Sequence, residues 1–202
     1  MSAKTDTENQ VSGVIAARKC SDCGHHEVGL TTADGRFVAF KPGMAATLEP
    51  QAQTSIVKPK TEIAAEKFLQ THNCAQSVLF TFCADLGLDP ETTLKLACGL
   101  GAGMARKQEV CGAVSGGVLA IGAKYGRGAN DDIKAAEKTY AKTRTLMESF
   151  EKVHGSVICG KLLDGCNLLT EQGQKQFKAE GLFEKTCLPS VQTVVKILEE
   201  IL

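Results

Sequence analysis

From residue 61 onward, apolar residues recur at helical spacing. Over residues 61–86 they fall at Ala64, Phe68, Ala75, Val78, Leu79, Phe82 and Leu86, close to a period of 3.6, and Gly87 supplies a stop. The pattern predicts one helix. Asp89 is a cap for the next helix, and Pro90 stands at its first position, where a missing N–H is no loss. That helix is predicted to run through Leu94 to about Leu100. A long helix is expected to start at Asn130 or Asp131 and reach about His154. In it Ile133, Ala136, Tyr140, Thr143, Met147, Phe150 and His154 alternate steps of three and four, a stripe for packing on other helices. After Pro189, Val191, Val194, Val195, Leu198, Ile201 and Leu202 share one face, opposite Lys196, Glu199 and Glu200. The expected fold is mainly α, a helical bundle of five or six helices over residues 61–202.

Before residue 46 the pattern changes. Two short apolar runs, 28–30 and 37–40, flank the tight-turn dipeptide Asp34-Gly35, and Lys41-Pro42-Gly43 follows. This predicts a small β-hairpin module over residues 1–45. Residues 46–60 hold Pro50 and Pro59 and show no periodicity, which reads as a linker.

Charge narrows the function. Lys plus Arg and Asp plus Glu each number 23, so the formal net charge is zero. Such a chain has no general field for a nucleic-acid backbone. No window approaches the roughly 18 apolar residues of a membrane span, so membrane insertion is not expected. Residues 11–17 are broken by Ser12 and Gly13 and are too weak for a signal-peptide core. A cytoplasmic, reducing setting follows. No Ser-His-Asp set, phosphate-binding loop or basic face stands out.

Nine cysteines therefore need a reason other than disulfide staples. Cys20 and Cys23 form Cys-Ser-Asp-Cys-Gly, a turn that presents two thiolates to one tetrahedral metal. His25 and His26 follow and can complete a zinc or iron site. A thiol pair and a decayed knuckle are the alternatives. The other seven lie in the bundle, where the bland reading of any one is a small buried hydrophobe. Cys83 fits that reading, because nine helical positions at about 100° each set it opposite Cys74. Cys111 precedes Gly112 at a predicted helix start, where backbone N–H groups favour thiolate and lower its pKa. Cys23, Cys98, Cys111 and Cys159 are each followed by Gly, which frees the backbone to hydrogen-bond a ligating sulfur. Nine glycines crowd residues 99–128. Close helix packing at Gly116 and Gly117, or backbone approach to a prosthetic group, accounts for that concentration. His72, two positions before Cys74, would point about 200° away on a continuous helix and reads as a surface or packing residue. His154 continues an apolar stripe five residues before Cys159 and reads as packing, with a hydrogen bond that supports a ligating Cys159 as the alternative.

These pieces in order resemble the redox-active protein family named for its cysteine pattern, CGCAxxG-C-C. The matching residues are Asn73-Cys74-Ala75, Gly99 to Gly103, Cys111-Gly112-Ala113-Val114-Ser115-Gly116, Cys159 and Cys187. The likeness spans about residues 61–202 and leaves out Cys83, Cys98, Cys166 and the Cys20–Cys23 module. It implies that Cys74, Cys111, Cys159 and Cys187 form the redox centre, with Gly112 at its wall.

Two mechanisms suit four cysteines on four segments. They converge on an iron–sulfur cluster of unspecified type and pass electrons to a redox partner protein. Otherwise they work as dithiols, with Cys111 attacking a disulfide. A third reading is a non-catalytic metal-binding interaction module, with the helix stripes serving partly as an interface or a homo-oligomer contact. Cys98 and Cys166 are close enough in sequence to the family cysteines to join the site.

Overall fold

The computed structural model describes residues 10–19, 25–40, 45–48 and 58–202. The chain divides into two compact units, Met1–Val57 and Lys58–Leu202. Among the described residues no helix is long and apolar enough to cross a membrane.

In the first unit the expected hairpin forms. Strands β2 (His26–Thr31) and β3 (Phe37–Ala39) pair antiparallel, with Leu30 opposite Val38. Gly35 takes φ 82° in the turn, and its N–H donates to the Thr32 carbonyl at 2.8 Å. Residues 10–19 add a strand that periodicity did not predict. β1 (Gln10–Lys19) pairs antiparallel with β2, setting Lys19 opposite His26. Its first residues pair in parallel with β4 (Ala45–Leu48), so a strand occupies the beginning of the segment read as linker. The order is β3-β2-β1-β4. Lys41, Pro42 and Gly43 lie outside the described residues.

The second unit is helical, as expected. Its helices are α1 (Lys60–Thr71), α2 (Cys74–Phe82), α3 (Pro90–Ala97), α4 (Gly101–Met104), α5 (Gly112–Tyr125), α6 (Ala135–His154), α7 (Cys159–Leu162), α8 (Glu171–Ala179) and α9 (Leu188–Ile201). α5 is the central helix. Every residue from Gly112 to Gly117 is buried, as are Ala120 and Ile121, because an almost uniformly apolar helix has no face to give to water. Around it pack Phe68 of α1, Val78 and Leu79 of α2, Leu146 and Phe150 of α6, and Val191, Val194, Val195 and Leu198 of α9.

Three expectations need correction. The helix predicted over 61–86 is two helices. His72 ends α1 in the left-handed conformation (φ 51°), and Asn73 restarts the chain as the cap of α2. The cap of α3 is as expected, with the Asp89 carboxylate accepting from Thr92 N–H at 2.8 Å, but the helix proper stops at Ala97 and a 3-10 turn carries on to Leu100. The long helix starts at Ala135, not at 130 or 131, and its predicted stripe is only half right. Phe150 is buried, whereas Ile133 and Tyr140 are 74 % and 55 % exposed. Leu146, outside that stripe, is fully buried.

Candidate redox centre

Cys74 is the first residue of α2. The side chain of Asn73 holds it there. Its Oδ1 accepts from the N–H groups of Ala75 and Gln76, both at 3.1 Å, and its Nδ2 donates to the Cys98 carbonyl at 2.9 Å. The helix start is thereby tied to the 3-10 turn. Two glycines allow the approach. A Cβ on Gly101 would fall 2.5 Å from Asn73 Nδ2, and one on Gly112 would fall 2.6 Å from the Cys74 sulfur. Gly116 extends the same contact, with its missing Cβ 2.6 Å from the Ala75 carbonyl oxygen. The packing explanation of the glycine excess thus holds at Gly116 and Gly117. At Gly112 the atom approached is a candidate ligand.

Cys111 and Cys159 are set side by side by a short β-bridge between Val110 and Ile158. Cys111 N–H donates to the Val157 carbonyl at 2.8 Å, and Cys159 N–H donates to the Glu109 carbonyl at 2.7 Å. Each cysteine then stands at a helix start, Cys111 as the cap of α5 and Cys159 as the first residue of α7. Cys187 closes a π-helical turn, Phe183–Cys187, and leads into α9.

Between Gly101 and Cys111 the backbone is unusual. Ala102, Gly103, Met104, Ala105 and Arg106 all take positive φ, from 52° to 67°. They form one left-handed turn, closed by Ala105 N–H to the Gly101 carbonyl at 3.0 Å. Each non-glycine residue costs about 1–2 kcal/mol in that conformation. Tertiary bonds hold it. The Gln108 side chain donates to the Cys166 carbonyl at 2.7 Å and accepts from Leu168 N–H at 2.9 Å. The turn directs the Ala102 N–H at the Cys74 sulfur, which Ala75 and Ala113 N–H groups also face.

All four family cysteines line one cavity of about 290 Å³. Cys74, Cys111 and Cys159 are buried and Cys187 is half-buried. Cys83, Cys98 and Cys166, the other described cysteines, are not part of its wall. Cys98 is exposed. Cys166 is buried and its thiol donates to the Gly173 carbonyl at 3.1 Å. Cys83 is buried at the end of α2, as the core reading expects.

Burial pushes all four thiols up. The Cys159 thiol is raised to about 12, first by desolvation and then by the Cys74 sulfur. Desolvation also raises Cys74, opposed by the N–H groups aimed at it. Cys111 and Cys187 are raised by desolvation and by their sulfur neighbours. The expectation that a helix start would lower the pKa of Cys111 is therefore overturned. Ala113 and Val114 N–H groups do favour its thiolate, but desolvation and the adjacent Cys74 outweigh them.

The protein family scan matches residues 72–201 to a family described as "Putative redox-active protein (C_GCAxxG_C_C)". The chain belongs to the C_GCAxxG_C_C family. No curated protein and no solved structure matches it. The C_GCAxxG_C_C match begins at His72 and so includes all four cavity cysteines.

His72 is exposed, as the surface or packing reading expects, but the continuous helix used to set its direction is broken there. Because α1 ends there, its ring lines the cavity, 5.2 Å from that of Phe183. Phe183 in turn stacks on Phe68 at 4.2 Å. The cue available in the sequence was Asn73, a strong cap residue. Arg106 and Lys178, also at the cavity, carried no sequence signal. His154 is placed away from that wall, with Nε2 3.0 Å from the Thr193 hydroxyl. In the first unit His25 and His26 are exposed. Cys20 and Cys23 lie outside the described residues. Among the described residues no three His, Cys, Asp or Glu side chains are grouped tightly enough to hold a single metal ion.

Proposed function

We propose that this protein transfers electrons through an iron–sulfur cluster ligated by Cys74, Cys111, Cys159 and Cys187. One observation carries the reading: four segments distant in sequence bring four cysteines to the wall of a single cavity, three of them buried. The residues present fit such a group. The four cysteines line an open space of about 290 Å³ rather than a filled core, which leaves room for a polynuclear centre. Backbone N–H groups are already aimed at Cys74 and Cys111, as thiolate ligands of a cluster require.

The cluster would supply a one-electron couple. The protein's residues do the rest. The four thiols give up their protons to solvent on ligation, which their raised pKa values forbid without a compensating cation. Ala102, Ala75 and Ala113 N–H groups then stabilise the Cys74 thiolate. Phe68, Phe183 and Leu163 restrict water. The electron comes from one redox partner protein and goes to another.

Dithiol exchange by the same residues is the weaker reading. A nucleophilic thiol needs a pKa near the ambient pH, and burial moves these four the other way.

The test is anaerobic purification with iron, sulfide and zinc analysis and an absorption spectrum. Iron and sulfide in comparable amounts, lost in Cys74→Ser and Cys111→Ser, are expected. Protein that stays colourless and iron-free, even after reconstitution with ferrous iron and sulfide, would overturn the proposal. Zinc that disappears with Cys20→Ser and persists in Cys74→Ser would assign a separate metal to the N-terminal pair.

A further inference from the structure

The cavity wall continues well beyond the cysteines. α8 carries no cysteine, yet Gln174, Phe177 and Lys178 line the space from one face, at positions i, i+3 and i+4. Leu162, Leu163 and Leu168 extend the apolar wall, and the stacked pair Phe68 and Phe183 provides a flat aromatic surface. An electron carrier needs only to enclose its centre. These extra residues extend the same cavity past the sulfurs into a compartment, and the space as a whole is at the small end of the range for ligand pockets.

Its charge has one sign. Arg106 and Lys178 line the cavity, and no Asp or Glu does so among the described residues. Neither cation makes an ion pair with a described residue. Glu184 bears on Cys187 of the same wall and Glu180 on Cys166, but neither acid lines the cavity or pairs with these cations. His72 and Thr186 add polar groups to the same wall. Two unpaired cations over an apolar, aromatic slot are the recognition chemistry of an organic anion.

We propose that the compartment binds a small organic anion with a flat apolar body, its charge at Arg106 and Lys178 and its body against Phe68, Phe177 and Phe183. The inference deepens the redox reading, since it places a ligand beside that centre. Binding itself depends only on the cavity.

The probe is 2-naphthoate, compared with the uncharged 2-naphthalenemethanol, by fluorescence anisotropy on the full chain purified anaerobically. The chain has no Trp, so background emission is low. Naphthoate should bind about tenfold tighter than the alcohol. The double variant Arg106→Gln/Lys178→Gln should lose about that factor for naphthoate and leave the alcohol unchanged. Both side chains are exposed, and circular dichroism confirms that the variant is folded. Arg106→Lys, which keeps the charge, should retain most of the binding. Equal affinity for the two probes, no naphthoate binding, or undiminished binding in the double variant would each overturn the proposal. Iron measured on the same samples separates the two readings. Iron without naphthoate binding sinks the ligand proposal alone, whereas charge-dependent naphthoate binding without iron supports it and sinks the cluster.

Discussion

Two glycines of α5, six residues apart, should respond to alanine in opposite directions. A Cβ at Gly116 would lie 2.6 Å from the Ala75 carbonyl oxygen and 3.0 Å from Ala75 Cα. Both are backbone atoms, so no side-chain rotation relieves the contact and α5 must move off α2. Overpacking of this kind costs about 1–3 kcal/mol. Better helix propensity returns about 1 kcal/mol. The net expectation for Gly116→Ala is a loss of up to about 2 kcal/mol. At Gly122 a Cβ would meet nothing within 4 Å. Gly122→Ala should therefore keep the propensity gain, about 0.5–1 kcal/mol. In a chain of this size 1 kcal/mol moves Tm by about 2–4 °C. Thermal unfolding followed by circular dichroism should thus place Gly116→Ala up to roughly 8 °C below wild type and Gly122→Ala roughly 1–4 °C above it. Because Ala75 adjoins Cys74, Gly116→Ala should also retain less iron. A Gly116→Ala protein that melts above wild type, as Gly122→Ala should, would refute the idea that glycine sets the α2–α5 distance.

In metal-free protein, alkylation at pH 8 followed by mass spectrometry should label exposed Cys98 first and the cavity cysteines slowly. With a pKa of about 12, Cys159 is thiolate in only about one molecule in ten thousand at that pH. Fast labelling of Cys111 would contradict the raised thiol. The same raised pKa gives a stability profile. The buried thiol's contribution is intact below its ordinary value of 9.0 and is lost as pH climbs towards 12. The urea midpoint of metal-free protein should accordingly fall above about pH 9, and fall less in Cys159→Ser. Gln108→Ala removes both bonds that hold the left-handed turn to the Cys166–Leu168 segment. It should cost about 1–3 kcal/mol, and an unchanged denaturation midpoint would show that the turn is held by other means.

What the sequence made legible was local chemistry. Asp89 and Pro90 announce α3, Asp34-Gly35 announces the hairpin, and the stripe from Val191 to Ile201 announces α9, because each depends on neighbours a few residues away. The break at His72 was hidden by apolar spacing that runs through it without a change of phase. Ile133 was misjudged because the residues before Ala135 are not yet α-helix, so the stripe began outside the element. The left-handed turn carries Ala, Met and Arg, which have no preference for positive φ. It exists through the bonds of Gln108 to another segment. The raised thiol of Cys111 is likewise a tertiary effect: the helix start was visible, the desolvating neighbours were not. The identity of the four cavity cysteines came from the family resemblance, not from spacing. The pairing of Cys111 with Cys159 depends on the bridge between Val110 and Ile158.

That bridge has an architectural consequence. It pins the departure of α5 and the return of the chain after α6 to the same spot. The α5–α6 arm is therefore a detour that begins and ends at the cavity, and its far tip, residues 126–134, touches none of the cavity wall. Doubling the length of a flexible loop costs only about 0.6 kcal/mol. The tip is thus the natural place to graft a reporter, to open the chain for circular permutation, or for homologues to differ in length. The cavity behaves as a keystone, and the tip of the arm is free to be rebuilt.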